Sequence, residues 1–193
     1  DSLAWPVKLN KDTELQLKCM GSILSEDYAM DTQYFRIGSG GYHNVSGTPM
    51  SLLYGDRFKE YNYVEHNKIF GLFGDDDGLT KILNPKTFLP YTELGNYCYD
   101  SMFTGCVNLT NAPELPAEIL VDGCYYNMFS GCQKINYIKM LATDISALGC
   151  LYNWVKGVSP TGTFVKSKDA TWDTTPGALG YSGIPEGWTV ETE

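Results

Sequence analysis

The sequence predicts an α+β fold: a short solenoid of helix-plus-strand repeats, preceded by an N-terminal antiparallel β unit and followed by a loop-rich C-terminal cap. Three observations lead there. A unit of 26 residues recurs through the middle of the chain. Each unit pairs an apolar stripe at helical spacing with a short extended stretch. The flanks lose that pattern, which places the boundaries at residues 1–62, 63–168 and 169–193.

In the first segment, Thr13 to Cys19 alternates polar and apolar residues, as a strand with one buried face does. Tyr34–Ile37 and Tyr42–Val45 flank Gly38-Ser39-Gly40-Gly41 and read as a hairpin, and Met50–Tyr54 could add a strand.

The repeat is explicit in the lines Leu94–Ile119, Leu120–Ile145 and the decaying line from Ser146. Cys98, Cys124 and Cys150 align, as do Met102, Met128 and Trp154, then Phe103, Phe129 and Val155, then Gly105, Gly131 and Gly157. Cys98, Tyr99, Met102, Phe103 and Cys106 fall at i, i+1, i+4, i+5 and i+8, which predicts a helix of about three turns. The aligned glycines fit its left-handed C-terminal position. Leu109–Ala112, Ile135–Met140 and Thr163–Val165 are the expected strands. One helix and one strand per unit is leucine-rich-repeat-like in period, and stacking of neighbours must supply the core. A weaker copy starts at Leu72-Phe73-Gly74, shifted by four residues, which implies an insertion near Asn84-Pro85-Lys86. Beyond the array, Trp172, Pro176, Ile184, Pro185 and Trp188 sit among Gly, Ser and Thr, as expected of a cap over the last coil.

Ser101-Met102-Phe103-Thr104-Gly105-Cys106-Val107-Asn108-Leu109 and Asn127-Met128-Phe129-Ser130-Gly131-Cys132 resemble the core of BspA-like leucine-rich repeats, and Leu115-Pro116-Ala117 resembles that family's return. Met50–Asp56 and Gly183–Val190 are similar to flanks found around such repeats in surface proteins of gut anaerobes. The resemblance implies a secreted or bacterial cell-surface protein used for adhesion or recognition. The array is short, and Gly74-Asp75-Asp76-Asp77-Gly78 replaces the usual Gly-Cys turn of its first unit.

Composition narrows the partners. Of 193 residues, 43% are hydrophobic and 19% charged, with a net charge of −9. So acidic a chain is repelled by nucleic acid and by anionic membrane surfaces. No apolar run approaches the roughly 18 residues of a membrane span. The chain opens Asp1-Ser2-Leu3 without Met, so a targeting segment is expected to be missing.

No set of residues suggests chemistry. Cys98 and Cys106, or Cys124 and Cys132, lie too far apart along a helix to pair, so the cysteines are expected to be unpaired core residues, with a cross-coil bridge such as Cys98–Cys124 as the alternative. There is no Cys-x-x-Cys with a neighbouring His, so neither a metal nor a cofactor is expected. His43 and His66 read as surface histidines without a nucleophile motif, and Asp75–Asp77 as a solvated acidic turn. Tyr99 and Tyr125 fall on the core stripe, whereas Tyr126 and Tyr152 fall beside it, in the slot that Asp100 fills in the first unit. Tyr126, Tyr152, Asn127, Asn153 and, on a strand, Tyr137 are the candidate binding residues, since exposed tyrosines stack on sugars or anchor proteins. The expectation is a non-catalytic module that binds protein or glycan. A structural spacer of an appendage or fibre is the alternative, and a glycan-acting enzyme ranks last.

Overall fold

The computed structural model describes residues 41–67, 69–172 and 182–193, and its core is one continuous stack of coils. The strands Thr13–Cys19 and Tyr34–Ile37 expected from sequence lie outside the described residues. The elements are few and short: β1 (His43–Val45), α1 (Met50–Tyr54), β2 (Tyr63–Val64), β3 (Leu79–Ile82), α2 (Pro85–Phe88), β4 (Glu93–Leu94), β5 (Tyr137–Met140), β6 (Thr163–Lys166) and β7 (Thr189–Thr192). A 3₁₀ turn over Gly55–Glu60 follows α1. Every described strand pairing is parallel: β1 with β3, β2 with β4, and β5 with β6 with β7. The architecture is a β-solenoid.

Two expectations for the first segment change. Met50–Tyr54 is helical, with its first turn fastened by Thr48, whose Oγ1 accepts from the Met50 N–H at 3.3 Å and whose carbonyl accepts from Ser51 Oγ at 2.9 Å. His43–Val45, expected in an antiparallel hairpin, runs parallel to β3.

The larger correction concerns the repeat itself. The segment from 97 to 105 is no helix. Its even-numbered N–H groups, at Cys98, Asp100, Met102, Thr104 and Cys106, bond to the carbonyl three residues back. Its odd-numbered ones leave the segment: Tyr97, Tyr99, Ser101, Phe103 and Gly105 donate to Asp122, Cys124, Tyr126, Met128 and Ser130 of the next coil at 2.8 to 3.1 Å. The same pairing joins residues 123–131 to 148–156 and 67–75 to 96–104. Each run is thus a ribbon of overlapping turns that is also a rung of a parallel ladder, and it satisfies its backbone along and across the stack.

Every fourth residue of the ribbon is left-handed. Positive φ occurs at Asn67, Gly71 and Asp75; Tyr97, Ser101 and Gly105; Gly123, Asn127 and Gly131; and Gly149, Asn153 and Gly157. That is the third-position requirement of a type II turn, which Gly and Asn meet most easily. At Gly105 (φ +75°) it is the conformation that favours glycine, since a Cβ would press mainly on the movable carboxylate of exposed Asp75.

The ribbon buries two of every four residues. Cys98, Tyr99, Met102, Phe103 and Cys106 are all buried, and so are their equivalents one unit on, Cys124, Tyr125, Met128, Phe129 and Cys132. Equivalent residues meet face to face: Phe73, Phe103 and Phe129 stack at 5.4 and 5.7 Å, and Tyr99 on Tyr125 at 6.0 Å. Each such contact adds about 0.5–1.5 kcal/mol to area burial. Trp154 ends both columns, 6.1 Å from Phe129 and 6.5 Å from Tyr125, with its Nε1 donating to the Gly183 carbonyl. The five described cysteines are free, and Cys106 and Cys132 each donate Sγ–H to the carbonyl of the preceding coil's phenylalanine at 3.0 Å.

Opposite the ribbons runs the sheet. The steps β5 to β6 and β6 to β7 keep the unit length, with Tyr137 beside Thr163 beside Thr189. The segment read from sequence as a loop-rich cap therefore contributes β7 to the stack. Leu109–Ala112 stays outside the regular strands, yet Asn111 imitates one: its Oδ1 accepts from the Ile82 N–H and its Nδ2 donates to the Ile82 carbonyl. The four residues of α2 lie at the expected insertion, where the distance between equivalent ribbon positions is 30 residues instead of 26.

Candidate functional site

Stacking equivalent positions turns each surface residue into a member of a column. One column matters most. Asp100, Tyr126 and Tyr152 occupy the same place in successive coils, each immediately before a left-handed residue, namely Ser101, Asn127 and Asn153. All three side chains are half-buried. The rings of Tyr126 and Tyr152 stack with centroids 4.6 Å apart and planes 18° from parallel. That separation matches the roughly 4.8 Å between hydrogen-bonded strands, so the rings are held by the backbone ladder and need no further support. Burial first, then the neighbouring Tyr152, Asp100 and Tyr97, raises the Tyr126 hydroxyl above its ordinary pKa.

Asp100 sits one coil before Tyr126. Its neighbour Ser101 donates N–H to the Tyr126 carbonyl at 2.8 Å, and Ser101 Oγ donates to Asp100 Oδ1 at 2.7 Å. Burial pushes the carboxyl up to about 6, with the Ser101 hydrogen bond only partly offsetting it. Beside this column, the Tyr97 ring lies over Gly123, where a Cβ would come within 2.1 Å of it. His66 meets the edge of Tyr97 at 6.3 Å.

Of the residues singled out in the sequence, Tyr126 and Tyr152 are brought together. Asn127 and Asn153 flank them, with φ of 52° each, and that backbone conformation accounts for their identity without a ligand. Tyr137 is exposed on β5, in the row of Thr163 and Thr189, away from the ribbon column. Asp100 and Tyr97 were not singled out as binding residues. The signal for Asp100 was present, because a carboxylate in a slot otherwise filled by the aromatic residues Phe70, Tyr126 and Tyr152 breaks its own column.

The acidic turn and His43 differ from expectation. Asp76 is buried: its Oδ1 accepts from the Gly78 N–H at 3.1 Å and its Oδ2 lies 3.0 Å from His43 Nε2. His43 Nδ1 approaches the Gly41 carbonyl at 3.1 Å, and the bond to Asp76 raises the imidazole pKa above its ordinary value. Asp75 and Asp77 remain exposed. Among the described residues, no three or more His, Cys, Asp or Glu side chains are gathered as a metal site. On the sheet side, Lys139 joins Glu193 at 2.8 Å and Glu114 at 3.4 Å, which ties β5 to the end of β7.

No family model, curated protein or solved structure matches the chain.

Proposed function

We propose that this chain is a non-catalytic recognition module displayed at a bacterial cell surface, binding a protein or a glycan through its ribbon face, as BspA-like leucine-rich-repeat proteins do. The single observation that carries this reading is the Tyr126–Tyr152 stack: two aromatic rings fixed at ladder spacing and partly open to solvent. A preorganised aromatic platform loses little entropy on binding, which is the property of effective anchors. Secretion and surface display rest on the resemblance of the Phe-x-Gly-Cys repeats. The reading assigns no bond-making step to any residue.

The test is a screen of immobilised glycans and extracellular matrix proteins with the wild-type chain and with Tyr126→Ala/Tyr152→Ala. At least one ligand should be retained by the wild type and lost by the double variant. Failure to retain any ligand above background overturns the reading.

A second reading, a spacer within an appendage or fibre, draws on β7. All four of its residues are exposed, and among the described residues it pairs on one side only. Such an edge is a template for another chain. Light scattering separates the two: concentration-dependent oligomers favour the spacer, and a strict monomer favours recognition.

A further inference from the structure

In the Asp100–Tyr126–Tyr152 column, Tyr152 is the only ring among the described residues that stacks on Tyr126. Tyr126 is covered on one side by Tyr152, 4.6 Å away. On its other side the preceding coil presents Asp100, whose short side chain stands where a third ring would continue the stack. By equivalence of position, the slot between the Tyr126 ring and Phe70, two coils apart, is a notch occupied only by the short Asp100 side chain, which is near enough to act on the Tyr126 hydroxyl. That carboxylate is under-provided for. It is half-buried, and its hydrogen bond comes from the Ser101 hydroxyl alone among the contacts within its own ribbon. A lone hydroxyl is a weak counterpart for a desolvated anion.

Three ligand chemistries are worth comparing. A neutral sugar can stack on Tyr126, but it leaves the carboxylate without a counter-charge. An ammonium group supplies charge as a strongly hydrated point and has no flat face to lay on a ring. A guanidinium supplies both: its plane stacks on an aromatic face while its N–H groups donate to a carboxylate. The net charge of −9 further favours the approach of a cationic segment.

We propose that the notch between Asp100 and the face of Tyr126 opposite Tyr152 receives an arginine side chain from a protein partner, the guanidinium stacking on the ring and donating to the Asp100 carboxylate. This rests on the recognition reading above and narrows it to a protein ligand that presents arginine. Tyr97, close enough to influence Tyr126, borders the notch, and Tyr152 backs the ring from behind.

The experiment titrates the full chain with acetyl-Gly-Arg-Gly-amide while NMR follows the Asp100 carboxyl carbon and the Tyr126 ring. Both resonances should move together with a weak, millimolar affinity, and the citrulline peptide, which lacks the charge, should leave them in place. Asp100→Asn keeps an acceptor for Ser101 and should weaken the arginine peptide at least about tenfold. Tyr126→Ala, which removes the ring face, should weaken it comparably, read at the Asp100 carboxyl carbon. Equal shifts with citrulline, unchanged affinity in Asp100→Asn, or no movement at the solubility limit of the peptide would each overturn the proposal. A screened ligand that needs Tyr126 and Tyr152 but ignores Asp100→Asn also overturns it and leaves the broader recognition reading standing.

Discussion

Replacing Asp100 with Asn should make the protein more stable at neutral pH. The carboxyl moves from its ordinary value of 3.8 to about 6 in the folded chain because burial penalises its charged form. Between those two values the folded state holds more protons than the unfolded state, so stability falls as pH rises through that window and stays lower above it. A shift of about two units corresponds to about 3 kcal/mol for a fully enclosed group, and solvent screening at a half-buried site reduces this to about 1–2 kcal/mol. Asn carries no charge, so the fall is absent in the variant. Urea denaturation under reducing conditions at pH 3.5 and at pH 7.5 reads the difference directly. Wild type and variant should match at the lower pH once their small neutral-state differences are accounted for, and Asn should lead by about 1–2 kcal/mol at the higher one. A variant that is no more stable at pH 7.5 would refute the argument, and with it the claim that Asp100 is held in a poorly solvated slot.

Three further outcomes follow from the same geometry. Tyr99 is buried and its hydroxyl finds no hydrogen-bond partner among the described residues, so Tyr99→Phe should stabilise by about 1 kcal/mol, seen as a higher urea midpoint at unchanged slope. Asn127 holds φ at 52°, so Asn127→Gly should be close to neutral and Asn127→Val should lose about 2 kcal/mol or more, both read by thermal melting. If both variants melt together, the left-handed position is not what selects Asn. The His43 imidazole is raised above 6.5 by Asp76, so its contribution is complete below pH 6.5 and is lost as pH climbs through the raised value. Asp76→Asn should flatten that part of the stability profile; an unchanged slope there would show that the pair is not coupled to folding.

The repeat was legible because stacking imposes it on the sequence: Cys98, Cys124 and Cys150 must match to lie over one another, and they do through the ladder bonds Tyr99 to Cys124 and Tyr125 to Cys150. The insertion was legible for the same reason, as a break in register that α2 fills. The local conformation was misjudged. Burial at i, i+1, i+4, i+5 and i+8 has a period of four, and over nine residues that is nearly indistinguishable from the 3.6 of a helix. The distinguishing marks were the left-handed formers at the same period, Gly123, Asn127 and Gly131, then Gly149, Asn153 and Gly157. Three such residues inside a helix would each weaken it, whereas in a ribbon of turns each has a place. The pairing of His43 with Asp76 was invisible for another reason: their separation along the chain carries no period, and the contact is set by how β1 lies on β3.

A solenoid makes substitution within a column informative in a way that substitution elsewhere is not. Equivalent positions share backbone conformation and similar neighbours, so the default is sameness, and each exception needs its own cause. Val158 in place of Cys106 and Cys132 costs only a weak S–H hydrogen bond, a minor loss in an apolar slot. Ser101 in place of Asn127 and Asn153 keeps the left-handed turn and gains a hydroxyl that can reach Asp100. Asp100 in place of an aromatic ring is the exception that packing opposes, since it trades a stacked ring for a desolvated charge. Its neighbour Ser101 compensates only in part. A residue that lowers stability at neutral pH in a slot where the fold itself offers a better occupant is the strongest marker on this surface of something beyond folding.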